Sequence, residues 1–352
     1  MIDLEKERLA SQMLSSFRKT LIPNSFLIGA MFVALPLWIA HAQPGSGSDA
    51  NIAPRPKLGE KSPETGELRR KTDIRVDSNL VLIPVTVTDP MNRFVTGLDK
   101  DNFRIFEDKK EQQLTQFSSD DAPIAAGVIF DCSGSMGHKL EKSRLAVAQF
   151  FKTANPEDEF FLVTFSDSAQ LVQPLTHNLE EIQNKLTFTP SKGRTALMDA
   201  IYLGLHEIKR ARPNERKALL IISDGGDNNS RYTEGEIKNL VKEADVQIYA
   251  IGIYEPIAAR GRTPEEAAGQ GVLTEIAEQT GGRQYPVDNL NELPDVAAKI
   301  GMELRNQYVL GYSPSNLDRD GKYRHVQVKL VQPRGLPPLR AFWKQGYYAP
   351  GQ

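Results

Sequence analysis

The chain has 352 residues, 40% of them hydrophobic and 25% charged, with a formal net charge of −2. This is the composition of one large or two to three modest globular domains, and its charge balance excludes a nucleic-acid surface or a strongly anionic membrane as the organising partner. The single cysteine, Cys132, excludes an internal disulfide, so stability has to come from packing.

In chain order, Arg18 and Lys19 precede an apolar run over 21–40, and Ala40-His41-Ala42 then supplies a small-x-small cleavage pattern. This predicts a secretory signal peptide over 1–42, with Met13 a more ordinary start than Met1. The alternative is an uncleaved anchor, since the run approaches the roughly 20 residues needed to span a bilayer. The protein is expected to be exported, whether periplasmic, cell-surface or secreted, and to touch a membrane only if that segment stays uncleaved. Residues 43–72, rich in Pro, Gly and charge, read as a disordered linker.

From 73 to 122 the hydrophobic period is two. Val81, Ile83, Val85 and Val87 alternate, residues 89–92 supply turn chemistry, and 103–110 with 113–117 read as a strand pair around a charged turn. These strands are too few to stand alone. Between 123 and 306 strands and helices alternate, which predicts an α/β fold with a mainly parallel, doubly wound sheet covered on both faces. Its strands are expected at 124–130, 160–165, 169–175, 218–223 and 246–253. Helical stripes are carried by Leu197, Ile201, Leu205 and Ile208, by Ile237, Leu240 and Val241 after a capping box of Thr233 and Glu236, by Val272, Leu273 and Ile276, and by Leu293, Val296, Ile300 and Leu304. Over 307–352 the period returns to two, with strands at 308–312, 323–331 and 339–343. The economical arrangement is a small β-sandwich-like domain built from 73–122 and 307–352, with the α/β unit inserted into it.

The first α/β strand runs into Asp131-Cys132-Ser133-Gly134-Ser135, where an acid and two hydroxyls alternate with small residues. Alone this is either a Ser/Gly-rich strand-to-helix turn or part of a site for a hard cation, which takes oxygen ligands. Ligands of open parallel sheets bind beyond the carboxyl ends of the strands. The central strand ends at Ser223-Asp224-Gly225, and the loop before the Leu197 helix presents Thr195 at the same edge. Asp131, Ser133, Ser135, Thr195 and Asp224 thus form a candidate metal site drawn from three loops. A catalytic role for Cys132 is not expected, because its apolar setting lacks the exposure and the base that a reactive thiol needs.

These residues resemble the metal-ion-dependent adhesion site of von Willebrand factor type A domains: Asp131, Ser133 and Ser135 match its Asp-x-Ser-x-Ser motif, Thr195 its threonine and Asp224 its later aspartate. The resemblance covers about 123–306. The flanks, through 308–314 and 346–350, are similar to the exported acidobacterial proteins related to this family. Arg194 departs from the pattern at a position where glycine is common; it either adds charge beside the site or points to solvent.

The resemblance implies a non-enzymatic, Mg²⁺-dependent binding or adhesion module that captures an Asp or Glu carboxylate of a protein partner. Mg²⁺ favours six oxygens at about 2.0–2.1 Å and retains waters, Mn²⁺ can substitute, and Ca²⁺ is also compatible with oxygen donors. Two alternatives stand beside it. One is a metal-dependent phosphatase or hydrolase using Asp131 as nucleophile, although Ser133 stands where such enzymes carry a second Asp, and no nucleophile elbow or phosphate loop occurs. The other is a scaffold with a purely structural metal. Asp227 and Asn228 are either supports for the site or a solvated turn, Asp199 is a candidate brace for the Thr195 loop, and His138 and Glu141 read as surface. Residues 255–271 read as a mobile surface excursion.

Overall fold

Alternation at Ile83, Val85 and Val87 produces β1 (Val81–Thr88), which turns those three side chains into an apolar core. It is the first element of a computed structural model that describes residues 80–212, 216–254 and 264–351, all within one unit, Asp73–Gln352. The expected signal peptide and linker, 1–42 and 43–72, lie outside the described residues. No helix among the described residues is long and apolar enough to cross a membrane.

β2 (Phe103–Glu107) pairs with β3 (Lys110–Gln112), and β4 (Leu114–Ser118) follows. This corrects the expected pairing of 103–110 with 113–117. Asp108 and Lys109 both take left-handed backbone (φ +46° and +72°), the form of a two-residue hairpin turn, so the chain reverses there. Two residues after β3 ends, Leu114 enters the core from the opposite sheet.

β5 (Ile124–Asp131) is buried along its whole length, as a strand covered on both faces must be. After it come α1 (Leu140–Phe151), β6 (Glu159–Phe165), β7 (Ala169–Thr176), α2 (Leu179–Thr187), α3 (Leu197–Glu207), β8 (Arg216–Ser223), α4 (Glu234–Glu243), β9 (Gln247–Ile253), α5 (Pro264–Gln279), β10 (Gln284–Val287) and α6 (Leu293–Arg305). The six strands lie in the order β10-β9-β8-β5-β6-β7, parallel except for β7, which runs antiparallel to β6. Val128 and Phe130 face one apolar layer with Val147 and Phe150 of α1 and Ile300 of α6. Ala125 and Ile129 face the other, with Ile201 of α3, Val241 of α4 and Ile276 of α5. The fold is therefore α/β with a mainly parallel, doubly wound sheet, as expected. Residues 264–271, expected to be a surface excursion, form the first turns of α5. Residues 255–263 lie outside the described residues.

β11 (Tyr308–Tyr312), β12 (Tyr323–Leu330), β13 (Arg340–Trp343) and β14 (Gly346–Tyr348) complete the chain. They combine with β1–β4 into two four-stranded sheets, β13-β1-β11-β4 and β14-β12-β2-β3, around a core of Ile83, Val85, Phe103, Ile105, Tyr308, Leu310 and Val328. Strands from before and after the α/β segment thus share both sheets. A buried polar chain joins the two parts. Gln307 Nε2 donates to Thr86 Oγ1 on β1 (3.3 Å) and to the Tyr249 hydroxyl on β9 (3.1 Å). Tyr249 donates in turn to Glu303 of α6, and the Arg283 guanidinium stacks 4.4 Å over the Phe342 ring of β13.

Candidate functional site

β5 is the pivot of the sheet: β6 lies on one side of it and β8 on the other, so the loops after β5 and β8 open a crevice at their carboxyl ends. Asp131 ends β5 and Ser223 ends β8. The Asp131 carboxylate is fully buried, and its hydrogen-bond donors among the described residues are neutral serine groups: Oδ1 takes the Ser133 amide at 2.8 Å, Oδ2 takes the Ser223 hydroxyl at 2.6 Å, and the Ser133 hydroxyl also favours the charged form. Each oxygen keeps a further lone-pair direction. Burial, and then the neighbouring Asp224 carboxylate, push the Asp131 carboxyl up to about 7. Ser133 Oγ and Ser135 Oγ stand 3.1 Å apart on the same turn, Ser133 buried and Ser135 exposed.

The threonine loop is tied to both neighbours through backbone. Gly134 N–H donates to the Gly193 carbonyl (3.0 Å) and Lys192 N–H to the Cys132 carbonyl (2.9 Å). Gly193 has φ +82°, and a Cβ there would overlap the Asp167 carboxylate, which accepts the Arg194 amide. On the other side, the Thr195 carbonyl accepts the Asn228 and Asn229 amides, and Asn228 Oδ1 accepts the Thr195 amide at 3.0 Å. Asp227 Oδ1 accepts the Leu197 amide at the start of α3. Asp227 and Asn228 therefore brace the threonine loop. Asp199 braces a different segment: its carboxylate accepts the Arg231 and Tyr232 amides and not the Thr195 turn. The Arg194 side chain is exposed, with Asn229 Oδ1 at 3.4 Å, and His138 and Glu141 are exposed.

Asp224 is buried beside Gly225, which needs left-handed backbone (φ +85°) and lies against Gly269 of α5 so closely that a Cβ on Gly269 would overlap the Gly225 carbonyl. Its Oδ2 accepts a 3.0 Å hydrogen bond from Lys139 Nζ, a buried ammonium just ahead of α1. Lys139 carries little signal in the sequence, because a lysine at the start of an amphipathic helix ordinarily extends into solvent. Only its spacing of four residues from Ser135 could have drawn attention to it.

The donors at this edge are all oxygen. Two carboxylates and nearby hydroxyls suit a hard divalent cation that keeps water or an outside ligand in its shell, and they do not suit a soft metal. Among the described residues there is no group of three or more His, Cys, Asp or Glu able to enclose a metal without such help. The Cys132 thiol is buried, and burial followed by the Asp131 carboxylate pushes it up to about 12.

Residues 128–226 match the family model of the von Willebrand factor type A domain, which commonly mediates protein–protein interaction or adhesion and often binds a metal. Inter alpha-trypsin inhibitor, heavy chain 4, of Mus musculus is 31% identical over 143 residues, covering 36% of this chain and 15% of that protein. A protein of Borreliella burgdorferi is 27% identical over 183 residues, covering 46% of this chain and 53% of that one. The chain thus spans about half the length of one relative and far less of the other. Among solved structures, von Willebrand factor type A from Catenulispora acidiphila aligns over 79% of this chain and 75% of its own at 12% identity and TM-score 0.46. BatB from Bacteroides thetaiotaomicron aligns over 51% and 98% at 19% identity and TM-score 0.41.

Proposed function

We propose, from the premise that this chain carries a von Willebrand factor type A domain on its central parallel sheet, that it is an exported, Mg²⁺-dependent protein-binding module. The observation that carries this reading is the pair of buried carboxylates, Asp131 and Asp224, brought from separate strand ends to one crevice and supplied there with too few cationic partners. In the proposal Asp131, Ser133, Ser135, Thr195 and Asp224 hold the ion, with Mn²⁺ or Ca²⁺ able to replace Mg²⁺. The ion would supply a Lewis-acidic position for a partner's Asp or Glu carboxylate. The protein's own contribution is to hold the ligands still: Ser223 fixes Asp131, the Gly134–Gly193 bond joins the first two loops, and Asp227 with Asn228 fixes the threonine loop. Nothing in this assignment requires turnover.

Export rests on the leader pattern over 1–42, and amino-terminal sequencing of the exported protein tests it: a mature chain that starts before residue 21 removes the cleaved-leader reading. Titration calorimetry with Mg²⁺ tests the site. The wild-type chain is expected to bind one ion, and Asp131→Ala to bind none while keeping its circular dichroism spectrum. Global unfolding of Asp131→Ala would instead mark the metal as structural. Hydrolysis of p-nitrophenyl phosphate by the wild type that is lost in Asp131→Ala would replace the binding reading with an enzymatic one.

A further inference from the structure

Lys139 is in an unfavourable place for a lysine. Its ammonium is buried, and it stands at the N-terminal end of α1, where the helix dipole disfavours a cation. Nothing in helix formation rewards that position. Its Nζ donates to Asp224 Oδ2 at 3.0 Å, while its own carbonyl accepts the Ser143 amide and hydroxyl at 3.0 Å, so both ends of the residue are fixed. A buried pair of this kind is screened far less than a surface one.

We propose that Lys139 sets the ligand specificity of the site, making it selective for an anionic partner and coupling partner binding to metal binding. This rests on the metal reading above. Two aspartates alone would neutralise a divalent cation and leave the crevice with little attraction for a carboxylate. With the Lys139 ammonium held on Asp224, the loaded site carries one positive charge in excess, at low dielectric. The same charge opposes entry of the cation. The ion is therefore held weakly until a carboxylate arrives to cancel the excess, and each ligand strengthens the other by the same factor. Lys139 acts through Asp224 and the local potential, without itself ligating the ion.

The test uses Mn²⁺ as the ion and acetate as the carboxylate, with free Mn²⁺ read by electron paramagnetic resonance. The wild-type chain is expected to bind Mn²⁺ several-fold more tightly with acetate present, and to show no such gain with neutral acetamide. Lys139→Met is expected to bind Mn²⁺ about tenfold more tightly in the absence of acetate and to lose most of the acetate effect, since one unscreened charge has been removed. Lys139→Arg, which keeps the charge, is expected to restore wild-type coupling. Lys139→Gln keeps a donor for Asp224 without the charge, and serves in place of Met if that variant melts below the assay temperature. Equal Mn²⁺ affinity and equal acetate dependence in the wild type and the uncharged variants overturn the role of Lys139 and leave the metal site standing. Failure of the wild-type chain to bind Mn²⁺ at all overturns the metal reading itself, and this inference with it.

Discussion

Glu303 and Asp131 are both fully buried carboxylates in the same α/β unit, and their surroundings differ in one respect. Glu303 on α6 receives the Arg283 guanidinium at 2.6 Å, the Tyr285 hydroxyl at 2.5 Å and the Tyr249 hydroxyl at 3.3 Å. Glu107 in the sandwich is treated the same way by Arg324, Tyr312 and Tyr347. Asp131 receives an amide and a serine hydroxyl, with no cation among its hydrogen-bond partners in the described residues and a second carboxylate nearby. A saturated buried acid is a fastening. An acid buried with neutral donors only is incomplete, and this incompleteness separates a candidate site from a structural network.

The comparison can be broken most forcefully at the fastening. Arg283→Met strands Glu303 without its cation and is expected to cost about 3–5 kcal/mol in urea unfolding, the usual penalty for breaking a buried pair. Asp131→Asn should behave in the opposite way. Metal-free, it is expected to be no less stable than the wild type, because a poorly compensated acid has been removed. The Mg²⁺-induced stabilisation, about 2.7 kcal/mol at a hundredfold excess over Kd, should vanish in thermal melts.

A separate effect follows from pH. The Asp131 carboxyl lies above its ordinary value in the fold, so between about 4 and about 7 the native chain holds a proton that the unfolded chain has released. Stability of the chelated protein should therefore fall as pH rises through that window and level off above it. Mg²⁺ should abolish the fall, and Asp131→Asn should lack it; a flat profile for the chelated wild type would contradict the burial argument. Gly269→Ala presses a methyl group on the Gly225 carbonyl and is expected to cost about 1–3 kcal/mol, with a loss of Mg²⁺ affinity through the displaced Asp224 turn. The smallest expected signal is at Cys132: iodoacetamide at pH 8 should leave the native chain unlabelled by mass spectrometry and label it in urea, since the buried thiol stays protonated.

Much of this architecture is legible in the residues themselves. The alternation at Val81–Thr88 and the run of β5 without a polar side chain before Asp131 each announce one kind of sheet, and the capping box of Thr233 and Glu236 is present at α4. Asp131, Ser133 and Ser135 stand out as candidates only when Thr195 and Asp224 are placed at the same sheet edge, since the alternating oxygens alone also fit a Ser/Gly-rich turn. What escapes the sequence depends on tertiary placement. β10 is four residues long and contains Pro286, so nothing local marks it as a strand beside β9. α2 buries only Ile182 and Leu186, too thin a stripe to stand out, and its start is marked only by the Asn178 cap. The hairpin at Asp108-Lys109 and the crossing of β4 to the other sheet depend on backbone signs that residue type does not reveal. Lys139 is the sharpest case: its buried contact depends entirely on where Asp224 lies, 85 residues on.

The shared sheets of the sandwich also have a mechanical consequence. The α/β unit is entered just after β4 and left just before β11, and β4 and β11 are direct neighbours, with Val309 opposite Ser118. Both attachment points lie at the amino ends of the parallel strands, where Arg216 Nη1 grips the Leu304 carbonyl and Asp158 Oδ1 accepts the Ile124 amide. The Asp131 crevice lies at the other end. A pull applied at the crevice and resisted at the sandwich therefore runs lengthwise along β5 and β8. It loads their hydrogen bonds together in shear rather than peeling them open one at a time.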